Sequence, residues 1–123
     1  MNTARELITE FLDCLQNLDT SLDRCVNLFA EEGTFELPYF PTLGLNWQFK
    51  GHDSIRAVLG LISKSFSSFT ISNIDIHELE NGKGLFIEYR SECFVRETGK
   101  KYTQDYVSRL DVEKGRSRSF ANI

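Results

Sequence analysis

Leu85-Phe86-Ile87-Glu88-Tyr89-Arg90-Ser91-Glu92-Cys93-Phe94-Val95, a turn at Thr98-Gly99-Lys100, and then Tyr102-Thr103-Gln104-Asp105-Tyr106-Val107-Ser108-Arg109-Leu110-Asp111-Val112 read as two successive β-strands. A strand sends neighbouring side chains to opposite faces, so each run sorts into two sets. In the first, Leu85, Ile87, Tyr89, Ser91, Cys93 and Val95 share a face, while Glu88, Arg90 and Glu92 lie opposite, between Phe86 and Phe94. In the second, Tyr102, Gln104, Tyr106, Ser108, Leu110 and Val112 share a face and Thr103, Asp105, Val107, Arg109 and Asp111 oppose them. One face of each run is core-like and the other charged, which predicts an antiparallel sheet covered on one side.

Downstream, a turn at Lys114-Gly115 leads to a last strand that runs to Ile123. Upstream, Ile71 to Leu79 ends at Asn81-Gly82, a strong hairpin signal because both residues tolerate positive φ. The four segments predict an antiparallel meander. Before Phe69 the period changes. Thr3-Ala4-Arg5-Glu6 is a capping-box pattern, and Leu7, Ile8, Phe11, Leu12, Leu15 and Leu18 recur at helical spacing, predicting a first helix over about Thr3 to Leu18. Asp19-Thr20-Ser21 offers N-caps for a short second helix carrying Leu22, Val26, Leu28 and Phe29, which Gly33 terminates. Thr34 to Leu37 reads as a short strand stopped by Pro38 and Pro41, and Tyr39 to Phe49 as an aromatic-rich loop. Asp53 is the natural N-cap of a third helix with Ile55, Val58, Leu59, Ile62 and Phe66, ending in the serine-rich stretch Ser63 to Ser68. Helices first and a meander afterwards predict an α+β domain with helices packed on one sheet face.

The chain has 123 residues, a length that fits a single domain spanning residues 1–123, and its 41% hydrophobic and 26% charged composition excludes a disordered or fibrous class. Net charge is −4, and the basic residues cluster only at Lys100-Lys101 and between Lys114 and Arg118, so no nucleic-acid partner is expected. No segment approaches the roughly 20 apolar residues of a membrane span, and the first residues carry Arg5, Glu6 and Glu10, so neither membrane nor secretion signal is expected and the reading is cytoplasmic. Cys14, Cys25 and Cys93 form no Cys-x-x-Cys pair and leave one over, which argues for reduced, buried thiols. There is no glycine-rich phosphate loop, no Ser-His-Asp order and no His-x-x-x-His spacing, so the expected site uses no cofactor and no metal.

Certain words in this order carry a resemblance: Leu28-Phe29-Ala30-Glu31-Glu32-Gly33, Phe35-Glu36-Leu37-Pro38-Tyr39, Phe49-Lys50-Gly51-His52-Asp53-Ser54-Ile55-Arg56 and Tyr102-Thr103-Gln104-Asp105-Tyr106. Over essentially its whole length the chain resembles the nuclear transport factor 2-like superfamily, in its SnoaL-like, ketosteroid-isomerase-like branch. The resemblance implies a cone-shaped α+β barrel, in which a strongly curved antiparallel sheet, a four-strand meander plus a short N-terminal strand, wraps around three helices. It also implies a mostly apolar small-molecule pocket at the mouth of the cone and a homodimer built on the outer sheet face, here marked by Phe86, Phe94 and Val107. Members include isomerases, dehydratases, epoxide hydrolases, polyketide cyclases and non-catalytic binding or interaction modules.

Fold does not dictate reaction, so the branch's catalytic positions are taken one at a time. Ketosteroid isomerases place a general-base Asp just before the Pro that ends the first strand, and that position is Leu37. Their helix-1 tyrosine, an oxyanion donor, corresponds to Phe11, which lacks the hydroxyl. Their protonated Asp on the third meander strand falls at or beside Ser108. That mechanism is not expected here.

The remaining candidates each have two readings. His52, before the third helix, is either a general acid or base or an exposed residue at the helix start. Glu88 and Asp105 either enter the cone, where desolvation raises a carboxyl pKa toward general-base range, or form cross-strand ion pairs outside it. Tyr89, Tyr102, Tyr106 and Ser108 lie on the expected inner face, with Phe11 and Leu37 at the mapped positions and Tyr39 and Trp47 in the loop near the mouth. These eight residues form the expected ligand pocket. The functional expectation is cofactor-free isomerase, cyclase, dehydratase or hydrolase chemistry on a hydrophobic polyketide- or terpenoid-like metabolite. The alternative is a non-catalytic ligand-binding or protein-interaction module.

Overall fold

A computed structural model describes residues 3–38 and 40–122. Helix α1 (Ala4–Gln16) starts with the predicted capping box: the Thr3 hydroxyl accepts from the Glu6 N–H, and the Glu6 carboxylate accepts from the Thr3 N–H, each at 3.2 Å. Leu18 does not extend this helix but opens α2 (Leu18–Asn27), so the second helix is capped from Asn17 rather than from Asp19-Thr20-Ser21, and Ser21 interrupts it with a non-helical φ of −122°. Strand β1 (Phe29–Glu36) then begins five residues before the expected Thr34, with Gly33 inside it rather than at a helix end. A 3₁₀ turn (Phe40–Leu43) precedes β2 (Gln48–Lys50), a strand where a loop was expected. Gly51, at φ 85°, occupies the cap position of α3 (His52–Ser65) in place of Asp53. The chain passes directly into β3 (Phe66–Glu78), and β4 (Gly84–Val95), β5 (Lys101–Glu113) and β6 (Arg116–Asn122) complete the fold.

The six strands lie in the order β2-β1-β6-β5-β4-β3. The meander β3 to β6 is antiparallel as expected, but β1 runs parallel to β6, with Phe35 opposite Phe120, so the sheet is mixed. This join explains the early start of β1. The Ser117 N–H donates to the Leu28 carbonyl at 2.8 Å and Phe29 pairs with Ser117, so a strand 80-odd positions away supplies backbone partners that local pattern does not reveal. Likewise β2 pairs antiparallel with β1, Phe35 opposite Phe49. The β5–β6 hairpin turns on Lys114 and Gly115, both at positive φ (52° and 75°), the twist-matched geometry of a two-residue hairpin loop.

The sheet is curved and does not close. Leu7, Ile8 and Leu12 of α1 and Ile55, Val58 and Leu59 of α3 are buried against Leu85, Ile87, Leu110 and Phe120 of the strands, and these side chains make one continuous core. No helix among the described residues is long and apolar enough to cross a membrane.

Candidate functional site

The inner sheet face and the helices do not meet everywhere; they enclose a cavity of about 260 Å³. Phe11 and Leu15, four residues apart on α1, line one side with Ile62 of α3. Phe35 of β1 and Leu37 just beyond it line another, and β3 adds Phe66, Phe69 and Ile71. Alternation along β4 turns Tyr89, Ser91 and Cys93 inward, and β5 does the same with Tyr102 and Tyr106. Phe120 and Asn122, two apart on β6, complete the wall.

The aromatic rings form two groups. Phe120 lies 4.6 Å from Phe11 and 5.8 Å from Phe35, centroid to centroid, at tilted angles. Tyr89 and Tyr106, directly opposite in the β4–β5 ladder, stack at 5.3 Å with 29° between planes. Such surfaces take up a flat apolar molecule by dispersion and ring contact.

The polar atoms among them are neutral. Ser108 is fully buried and donates from Oγ to Asn122 Oδ1 at 2.5 Å, a bond that fixes the amide and does not use its nitrogen. Asn122 and Ser91 bring amide and hydroxyl groups to the cavity wall from β6 and β4. Tyr102, 44% exposed, stands at the rim and donates from its hydroxyl to Gln104 Oε1. Burial pushes the Cys93 thiol above its ordinary pKa, so it stays protonated at neutral pH. No carboxylate, imidazole, ammonium or guanidinium group is among the described side chains that line this cavity. The arrangement can stack, exclude water and donate neutral hydrogen bonds.

Of the residues expected at the pocket, Phe11, Leu37, Tyr89, Tyr102 and Tyr106 are brought together here. Ser108 has the expected orientation but does not line the cavity; it stands beside Asn122, its ladder partner, and bonds to it. Trp47 does not line the cavity; its side chain is 39% exposed and its carbonyl accepts from the Leu37 N–H at 2.8 Å. Tyr39 lies outside the described residues. The three acid/base candidates stand away from the cavity. Asp105 is on the outer face, bound at 2.8 and 3.2 Å by the Arg90 guanidinium, which holds its carboxyl below the usual range. Glu88, also outside, accepts from His77 Nε2 at 3.1 Å. His52 ties the start of α3 to β1 through Nε2–H donating to the Phe29 carbonyl at 2.8 Å. Asn122, Ser91 and the β3 aromatics were not singled out from sequence. The signal for Asn122 was available, since it shares the parity of Phe120 on the last strand.

Two further groups of reactive side chains lie elsewhere. Cys14 of α1 and Cys25 of α2 meet in the core, where the hydrogen bond between the thiols and then burial push Cys25 far above the ordinary thiol range. Asp75, His77 and Glu88 are near enough together on the outer face to hold a metal ion, but His77 Nε2 already contacts both carboxylates, at 3.3 and 3.1 Å.

Solved structures share this architecture. A candidate isomerase from Bacillus subtilis superposes with a TM-score of 0.86 at 22% identity, covering 97% of this chain and 84% of its own. A candidate polyketide cyclase from Xanthomonas campestris gives a TM-score of 0.82 at 16% identity, covering 97% and 87%. TerC, co-crystallised with polyporic acid, gives 0.78 at 16% identity, covering 98% and 89%. At these identities the likeness is one of fold. None of the curated proteins matches the chain. The SnoaL-like domain profile, however, matches residues 8–120, from the core face of α1 to the cavity-lining Phe120. The chain belongs to the SnoaL-like domain family, within the nuclear transport factor 2-like superfamily.

Proposed function

We propose that this chain binds a flat, hydrophobic, oxygen-bearing small molecule in the cavity between the sheet and helices α1 and α3. One observation carries the reading: the lining combines stacked and tilted aromatic rings with neutral hydroxyl and amide groups and, among the described side chains, no ionised acid or base. Apolar walls with a few convergent polar groups suit recognition of a small ligand. An acid/base enzyme would call for a group of tuned pKa within reach of the reacting atom, and Glu88, Asp105 and His52 are engaged elsewhere. The first reading is therefore a non-catalytic binding module.

A second reading is cofactor-free isomerase or cyclase chemistry on a polyketide- or terpenoid-like metabolite. It is favoured by the candidate cyclase and the polyporic acid complex among proteins of similar fold. In that case the Asn122 amide acts as a fixed neutral donor to a developing oxyanion, and the substrate's own acidic C–H or O–H supplies the proton that this oxygen takes up.

Calorimetric titration with hydroxylated quinones, polyporic acid among them, followed by mass spectrometry and NMR of the recovered ligand, separates the two. Saturable one-site binding with the ligand recovered unchanged supports the module, and an isomerised or cyclised product supports the enzyme. Tyr106→Phe is expected to weaken binding about tenfold, the loss of one well-formed hydrogen bond. Absence of saturable binding across the series overturns both readings.

A further inference from the structure

A second cavity of about 220 Å³ adjoins the aromatic one, and the two share Leu15, Phe66 and Phe69 as a common wall. Its character is opposite. Gln16, Asn17 and Asp19 line it from the α1–α2 junction, Ser63 from α3, Ser67 and Ser68 from β3, and Arg96 from the turn after β4. Neither cavity alone reaches the roughly 300 Å³ at which ligand sites begin, and together they exceed it.

The common wall is built by a defect in β3. Strict alternation would put Phe66 on the face opposite Phe69 and Ile71, yet all three line the aromatic cavity. The β3–β4 register slips between Ser67 and Thr70, and Ser68 sits at φ 57°, a left-handed conformation that costs a non-glycine residue free energy. This bulge turns Phe69 back toward Phe66, their centroids 6.2 Å apart, and places Ser67 and Ser68 on the polar side. The bulge thus sets Phe66 and Phe69, with Leu15, between the two cavities.

The polar cavity is charged but internally balanced. Arg96 Nη2 donates to both Asp19 oxygens, at 3.1 and 2.9 Å, and Nε donates to the Ser63 carbonyl at 2.9 Å. Ser63 Oγ donates to Asp19 Oδ1 at 2.5 Å. The Asp19 carboxylate, its side chain 64% exposed, thus accepts three contacts, while these bonds use Nε and Nη2 of Arg96 and not Nη1. An anionic ligand group would lie against Asp19 and a cationic one against Arg96. A neutral group rich in hydroxyls meets neither obstacle and finds donors in Arg96 Nη1 and in the Ser67 and Ser68 hydroxyls.

We infer that the ligand is an amphiphile whose flat apolar part fills the aromatic cavity while a neutral, polyhydroxylated part of sugar type passes the Phe66–Phe69 partition and is held by Arg96 and Ser67. The inference rests on the proposed binding role of the aromatic cavity and specifies the ligand class. It is tested by calorimetry with three probes: 2-naphthol, 2-naphthyl β-D-glucoside and 2-naphthoxyacetate. The glucoside is expected to bind at least about tenfold more tightly than 2-naphthol, and the carboxylate no more tightly than 2-naphthol. Arg96→Met and Ser67→Ala should each remove most of the glucoside's advantage and leave 2-naphthol affinity unchanged, which also certifies the fold of each variant. If Arg96→Met misfolds, Ser67→Ala carries the test. Equal binding of naphthol and glucoside, preference for the carboxylate, or an advantage that survives the substitutions overturns this inference and leaves the aromatic site standing. If neither naphthol nor glucoside binds, the binding role falls with it.

Discussion

Ser108 and Asn122 face each other across the β5–β6 ladder, and one buried hydrogen bond decides which way the amide points. Ser108→Ala leaves the Asn122 oxygen without its donor at a buried position, at a cost of about 1–3 kcal/mol. The expected result is a lower urea midpoint with an unchanged slope; an unmoved midpoint would show that another donor replaces the hydroxyl. Alternation in the sequence is enough to put Ser108 on the inner face with Tyr106 and Leu110, and it does the same for Tyr89. It says nothing of depth. Whether Ser108 touches the cavity or bonds to a side chain beside it depends on Asn122, which arrives from a different strand through a register that no local pattern encodes. The outward placement of Glu88 and Asp105 was open for a related reason: a slip of one residue exchanges the two faces, and only the helices packed on one of them break the symmetry.

At the scale of elements, Gly33 illustrates how a correct signal acquires a wrong cause. Its lack of a side chain suits a helix stop, but it lies within β1, where an added Cβ would stand 2.8 Å from the Ser117 carbonyl oxygen and 2.9 Å from that of Ala30. Both obstacles are backbone, so Gly33→Ala should push β1 from β6 and destabilise the fold by roughly 1–3 kcal/mol in chemical denaturation. Stability equal to wild type would mean that the irregular register between Phe29 and Thr34 absorbs the methyl group. The Asp19 cluster links α2 to the end of α3 and to Arg96 just past β4. The Ser63 hydroxyl and then Arg96 hold the Asp19 carboxyl below its ordinary 3.8. A lowered folded-state pKa stabilises above the unfolded value, and the benefit disappears as pH falls through the folded one. The stability gap between wild type and Asp19→Asn should therefore be present at pH 7 and close as the pH falls below the ordinary carboxyl value of 3.8; because the group is largely exposed the gap is small, and a gap that widens in acid would contradict the assignment. Helices α1 and α3 were legible because capping and periodicity are local. Of β1, Thr34 to Glu36 were legible as strand, but its first part and all of β2 were not, because their ladder partners are remote or form only when the chain folds back.

For the molecule as a whole, the outer sheet face combines the ion pairs of Arg90 with Asp105 and Lys101 with Glu92 with apolar side chains, Phe94 and Val107 each 41% exposed. We propose this face as the contact of a homodimer. Light scattering at micromolar concentration should give twice the 14.2 kDa of one chain, and Val107→Asp should give the single mass with near-normal thermal stability; a monomeric wild-type protein overturns the proposal. The α+β class and the meander follow from the order of periodicities along the chain, whereas the mixed character of the sheet depends on β6 inserting between β1 and β5. That insertion has a consequence in time. The β1–β2 pair and the β3–β4–β5 meander each close through short-range contacts, whereas joining β1 to β6 closes a loop of more than 80 residues, the most entropically demanding pairing in the sheet. Until then Phe35 belongs to one half and the Tyr89–Tyr106 pair to the other, and the cavity does not exist. A ligand that touches both halves recognises only the finished fold and stabilises it over states in which β1 and β6 are unpaired.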